Sequence, residues 1–169
     1  MPTPFAHRVA LIILSGLDAE AKARVALTLL GDDRSGWAVL DNDGGRFANA
    51  ARGLSVPVAL SKGCACCTGQ VVLHTALVAL IRQHRPERLL LLAAATAEPA
   101  ALQRALAQGV AMGAWNIAQR VCVRHGATWA HLKPDAQALW DAQQAAADVV
   151  IHCDADTADA EILRQLATT

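Results

Sequence analysis

The sequence predicts an α/β fold, a three-layer sandwich with helices on both faces of a mostly parallel β-sheet. Three observations carry this. Continuous apolar runs such as Val9-Ala10-Leu11-Ile12-Ile13-Leu14 lack alternation, as expected of strands buried on both faces. Segments of helical period separate these runs. Small or turn-forming residues follow the strand ends, so Ser15, Asp41, Ala93 to Thr96, Arg124-His125 and His152-Cys153 should gather along one rim, where ligands bind in such sheets.

After Val9–Leu14, the turn Ser15-Gly16 breaks the strand. Ala19, Ala23, Ala26, Leu27 and Leu30 then recur at helical spacing, and Gly31 stands at the C′ position. Trp37-Ala38-Val39-Leu40 reads as a second strand, ended by Asp41-Asn42-Asp43-Gly44-Gly45. An irregular region with the apolar patch Val56 to Leu60 leads to a cysteine loop. Gln70 to His84 reads as an amphipathic helix, stopped by Pro86. Arg88 to Ala95 is the next buried strand. Glu98-Pro99 opens a helix to about Gln108. Ala118 to Val123 reads as a strand, Pro134 to about Ala146 as a helix, Val149 to His152 as a strand and Ala158 to Leu166 as a last helix.

With 169 residues, of which 54% are hydrophobic, the expectation is one domain over residues 1–169 with a substantial core. Fifteen basic residues balance fifteen acidic ones, so no nucleic-acid footprint is expected. No apolar run reaches the roughly 20 residues of a membrane span. The N-terminal stretch lacks the pattern of a signal peptide, which makes a reducing cytoplasm the expected compartment. Five cysteines in that setting do not suggest a disulfide framework.

Three of those cysteines crowd into Gly63-Cys64-Ala65-Cys66-Cys67-Thr68. Adjacent residues have Cα atoms about 3.8 Å apart, closer than disulfides prefer, so a Cys66–Cys67 bond would be strained. A soft metal ion has no such difficulty, since several thiolates can face one ion at about 2.3 Å. Lys62 adds a cation that favours the thiolate form. Zinc or a similar metal is therefore the first reading of Cys64, Cys66 and Cys67, with redox sensing or a plain structural turn as the alternatives. Asp41, Asp43, His74 and His125 are candidates for a further ligand.

A second motif follows the first strand. Gly16-Leu17-Asp18-Ala19-Glu20-Ala21-Lys22-Ala23 has the frame of the phosphate-binding pattern G-x-x-x-x-G-K-[ST]. Gly16 and Lys22 stand at the right offset. Ala21 replaces the second Gly and Ala23 the hydroxyl that would hold magnesium. Asp18 and Glu20 place negative charge where a triphosphate would lie, and an ordinary strand-to-helix turn with a surface lysine is the other reading of this stretch.

The chain resembles the CobW-type metallochaperone GTPases, relatives of HypB and UreG in the P-loop NTPase class. The phrase Leu60-Ser61-Lys62-Gly63-Cys64-Ala65-Cys66-Cys67-Thr68 is the closest match, and the resemblance runs from about Arg8 to Leu166. It implies a P-loop NTPase-like fold and a cargo metal, zinc or cobalt, on Cys64, Cys66 and Cys67. It also implies remnants of a nucleotide site at Gly16, Lys22 and Asp156. Asn42 stands where the family has Glu, Leu92 where it has the Walker B acid, and Cys153-Asp154-Ala155-Asp156 where it reads guanine. GTP and magnesium chemistry is therefore expected to be impaired, while the metal loop is kept. The implied partners are the metal ion and a client metalloprotein, with self-association as a further expectation. An active GTP-dependent metallochaperone is the main alternative.

Overall fold

In the computed structural model, residues 7–61, 69–126 and 131–153 are described. The strands are β1 (Val9–Ser15), β2 (Trp37–Asp41), β3 (Val58–Leu60), β4 (Arg88–Leu92), β5 (Trp115–Arg124) and β6 (Val149–His152). The helices are α1 (Ala19–Leu30), α2 (Arg46–Ala50), α3 (Gly69–His84), α4 (Pro99–Ala111) and α5 (Pro134–Ala145). The strands form a single sheet in the order β3-β2-β4-β1-β5-β6, and every neighbouring pair is parallel. The expected α/β sandwich is thus the observed architecture.

The unbroken apolar run of β1 has a direct explanation. Ile12 and Leu14 enter a core beneath α1, with Val25, Ala26, Leu29 and Phe47. Val9, Leu11 and Ile13 enter the opposite core, with Leu73, Leu77 and Leu80 of α3 and Leu106 of α4. A central strand sandwiched in this way has no face left for polar residues.

Helix starts follow local chemistry. The Asp18 carboxylate accepts a hydrogen bond from the Ala21 amide at 2.9 Å, satisfying one of the donors a helix N-terminus leaves open. Both carboxylate oxygens of Glu98 cap α4 through the amides of Ala100 and Ala101, with Pro99 in the first turn. Gly31 closes α1 at φ +57°, its N–H reaching the Leu27 carbonyl.

The sequence reading differs from the structure in β5. The strand starts at Trp115 rather than Ala118. Its register against β1 shifts after Ile117, so that Leu11 faces Ile117 while Ile12 faces Gln119. Ala118 is the extra residue. Such a bulge reverses the side-chain phase along a strand and hides its first half from pattern reading. Trp115 and Trp140 are core residues, 0% and 3% exposed. Trp129 and the helix expected at Ala158–Leu166 lie outside the described residues. No helix among the described residues is long and apolar enough to cross a membrane.

Candidate functional site

Parallel topology brings the ends of β1, β2, β4 and β5 to one rim. Gly16 ends β1 there at φ +133°, and a Cβ at this position would lie 2.4 Å from the Val123 carbonyl oxygen of β5. The first Gly of the phosphate-loop frame is therefore required for chain packing, whatever else it does.

Lys22, in the first turn of α1, is the central residue of the rim. Its side chain is 0% exposed. Nζ lies 2.7 Å from Asp43 Oδ2 and donates to the Ala93 carbonyl at 2.7 Å. Among the described residues Oδ2 of Asp43 has no other partner, so this contact is an ion pair between two buried groups. Burial pushes the Lys22 ammonium below its ordinary pKa, while the charge of Asp43, and then of Asp41 and Asp18, pulls it back. An unpaired ammonium could not remain charged in such a place.

The carboxylates around it are held by the backbone. Asp43 Oδ1 accepts the Ala95 amide at 2.9 Å. Asp41 accepts the amides of Asp43 and Ala48 at 2.9 and 3.0 Å. Asp41 and Asp43, candidate metal ligands by sequence, are thus engaged in fixing the turn after β2 and in pairing Lys22. His125 Nδ1 lies 3.4 Å from Asp18 Oδ2 and forms no hydrogen bond among the described residues. His74 lies against Trp115, with ring centroids 5.5 Å apart.

The segment after β4 is pinned from two sides. Lys22 holds Ala93 and Asp43 holds Ala95 on one side. On the other, Gln143 Nε2 of α5 donates to the carbonyls of Ala95 and Ala97 at 3.1 and 3.0 Å. Nothing in the sequence singled out Gln143. Its one available signal was a polar residue three positions after buried Trp140, and therefore on the same helix face.

The cysteine loop, with Cys64, Cys66 and Cys67, and Asp156 as well, lie outside the described residues. The approach to the loop is anchored at this rim. Ser61 donates its amide to the Asp41 carbonyl, and Asn42 Nδ2 donates to the Ser61 carbonyl at 3.1 Å. The exposed residues Leu60, Val71 and Val72 flank the loop in sequence. Among the described residues no group of three or more His, Cys, Asp or Glu side chains could hold a metal ion.

The CobW/HypB/UreG nucleotide-binding domain, as a family, matches residues 21–169. The chain belongs to this family. The match begins inside α1, after Gly16, and takes in Lys22, the cysteine loop and the rim of β2 and β4. No curated protein matches the sequence. Among solved structures the chain is similar to chloroplast FtsY from Physcomitrella patens, at TM-score 0.61 and 13% identity, over 95% of this chain and 55% of that one. It is also similar to the signal recognition particle receptor FtsY from Elizabethkingia anophelis. In complex with GDP that structure gives TM-score 0.55 and 12% identity over 88% of this chain and 49% of that one. A second structure of the same protein gives 0.57 and 13% over 90% and 52%. The chain thus spans about half the length of these structures, and at such identity the likeness shows the fold alone.

The other two cysteines are packing residues in the described structure. Cys122 and Cys153 are free and buried. Burial pushes the Cys122 thiol above its ordinary pKa, offset in part by the Ser15 hydroxyl and the Lys22 charge. A raised pKa keeps the thiol protonated where an ordinary one ionises, at about pH 8.5. Iodoacetamide at that pH should leave Cys122 unmodified in the native protein and label it only after unfolding. Rapid native labelling, read by peptide mass spectrometry, would contradict the packing described.

Proposed function

We propose that this CobW-family domain holds a thiophilic metal, zinc or cobalt, as cargo on Cys64, Cys66 and Cys67, and does so without a working nucleotide switch. The observation that carries the second half is the buried Lys22–Asp43 pair. A phosphate-binding lysine acts by presenting its charge to the β- and γ-phosphates. Here the ammonium already has a carboxylate and a carbonyl at 2.7 Å. The Asp18 carboxylate takes an amide at the N-terminus of α1, where a phosphate would otherwise bind. Ala23 offers no hydroxyl to magnesium, and Leu92 no carboxylate at the end of β4. A triphosphate would have to displace one carboxylate and outcompete a second inside a buried pair, so these residues do not fit it.

The metal half rests on the chemistry of the Cys-x-Cys-Cys loop, together with the resemblance to metallochaperones that the loop carries. Three thiolates so close together suit a soft cation, with a fourth ligand from the protein or solvent. Binding releases thiol protons, so affinity should fall as pH drops. The exposed apolar residues Leu60, Val71 and Val72, on either side of the loop, support delivery to a client protein, since apolar surface beside a site favours docking.

Two measurements test the reading. Protein purified without added metal should carry close to one equivalent of zinc, and Cys64→Ser with Cys66→Ser should lose it. Unchanged metal content in that variant would refute the loop as the site. Titration with a fluorescent GTP analogue should show no saturable binding. Micromolar affinity with magnesium-dependent turnover would instead establish an active GTP-dependent metallochaperone.

A further inference from the structure

On the face of the sheet opposite α1 lies a cavity of about 230 Å³, between α4 and α5 and over β1 and β5. The metal-loop reading does not use it. Its walls are mainly apolar, with Ile13, Leu102, Ile117 and Ala97 among them. Four polar side chains interrupt those walls: Ser15, Gln103, Arg120 and Gln143.

Gln143 is the informative one. It is 1% exposed, and its amide nitrogen is used by the carbonyls of Ala95 and Ala97. Two carbonyl partners fix the orientation of the amide, since only nitrogen can donate to both. The amide oxygen is then left buried with no hydrogen-bond partner among the described residues. A buried acceptor without a donor is costly, and native proteins rarely retain one without a reason. The Ser15 hydroxyl donates to the Val121 carbonyl at 3.2 Å and so keeps acceptor capacity. Arg120 brings a guanidinium to the mouth. One of its N–H groups contacts Asp148 at 3.4 Å, a partly exposed pair of the weak kind, and the fork retains further donors for a carboxylate.

We propose that this cavity binds a small apolar acid: a compact aromatic or branched carboxylate with a hydrogen-bond donor next to its carboxylate. The apolar body would lie against Ile13, Leu102 and Ile117. The carboxylate would meet Arg120, and the adjacent donor would satisfy Gln143. A mostly apolar pocket with a few convergent polar groups is the usual form of a small-molecule site. Its volume suits a ligand of roughly ten to fifteen non-hydrogen atoms, for which millimolar or tighter affinity is attainable.

Isothermal titration of the full chain with mandelate tests this, with 1-phenyl-1,2-ethanediol as the analogue lacking the carboxylate. Mandelate should bind saturably with Kd of roughly 1 mM or below. Arg120→Met should weaken mandelate about ten-fold and leave the diol unchanged. Ala146→Trp, at an exposed position lining the cavity, and Leu102→Phe should each abolish binding of both compounds. Unfolding midpoints close to that of the parent would show that the variants fold. Absence of saturable mandelate binding overturns the proposal. So does mandelate binding that both blocking variants leave unchanged, or an equal loss of acid and diol in Arg120→Met.

Discussion

Replacing Lys22 with Met is expected to destabilise the protein by about 3–5 kcal/mol with no nucleotide or metal present. The reason is the carboxylate left behind. Asp43 lies within a buried rim, and among the described residues its Oδ2 has Lys22 as its one partner. Asp41 stands close enough for its charge to be felt at Lys22. Without the ammonium, two nearby negative charges share a poorly solvated space, and the Ala93 carbonyl loses its donor. Asp43→Asn alone should also destabilise, since the buried ammonium then lacks its countercharge. The double variant should recover most of the loss. Its new carboxamide keeps an oxygen to accept the Ala95 amide, and neither side chain then carries a charge that must be paired. Buried ion pairs behave this way: removing one partner costs much more than replacing both.

Urea unfolding of the two single variants and the double variant, read as a thermodynamic cycle, measures the coupling. A coupling above about 1.5 kcal/mol is expected for a buried pair. Additive effects, or a Lys22→Met protein as stable as its parent, would mean that Lys22 is not held by Asp43 in solution. The result bears on function as well. A lysine kept for phosphate should be dispensable for folding, whereas a lysine used as an internal countercation should not be.

Gly16→Ala is expected to cost about 3 kcal/mol or more, from two penalties that act together. At φ +133° an L side chain is strained, worth roughly 1–3 kcal/mol. The new Cβ would also lie 2.4 Å from the Val123 carbonyl oxygen, so β1 and β5 must move apart at the rim. Overpacking of this kind costs a further 1–3 kcal/mol or so. That carbonyl is backbone, and the strands pair from Val9 through Ser15, so relief by a side-chain rotation is not available. A urea midpoint like that of the parent would refute this close approach. Gly31→Ala is a useful contrast: its φ is also positive, but a Cβ there meets nothing within 4 Å, so strain should act without the clash.

Local signals made much of the fold readable. β1 announces itself because both of its faces are buried, leaving a run with no polar residue. α1 and α4 announce their starts because Asp18 and the Glu98-Pro99 pair satisfy open amides within a few residues. β5 was only half readable, since the bulge at Ala118 shifts the phase that links sequence to face. Asp43 is legible in the sequence as a chemically capable residue, one of four candidates for a further metal ligand, but not as the partner of a lysine. Its partner, Lys22, sits on another element, and no spacing rule connects the two. Gln143 carried almost no signal, because its role is to hold the carbonyls of Ala95 and Ala97 from across the sheet's flank.

By itself, the sequence determined the layered parallel α/β fold, the family and the crowding of three thiols in one short loop. The fold and the thiol crowding follow from burial period, capping chemistry and residue type, all of them properties of contiguous residues, and the family follows from the match over residues 21–169. Only the tertiary structure decided what became of the phosphate-loop lysine. Stacking β1, β4 and β2 side by side brings Lys22, Asp43 and Ala93 to one dry point. There an ammonium must be paired, and the chain's own carboxylate lies close enough to pair it.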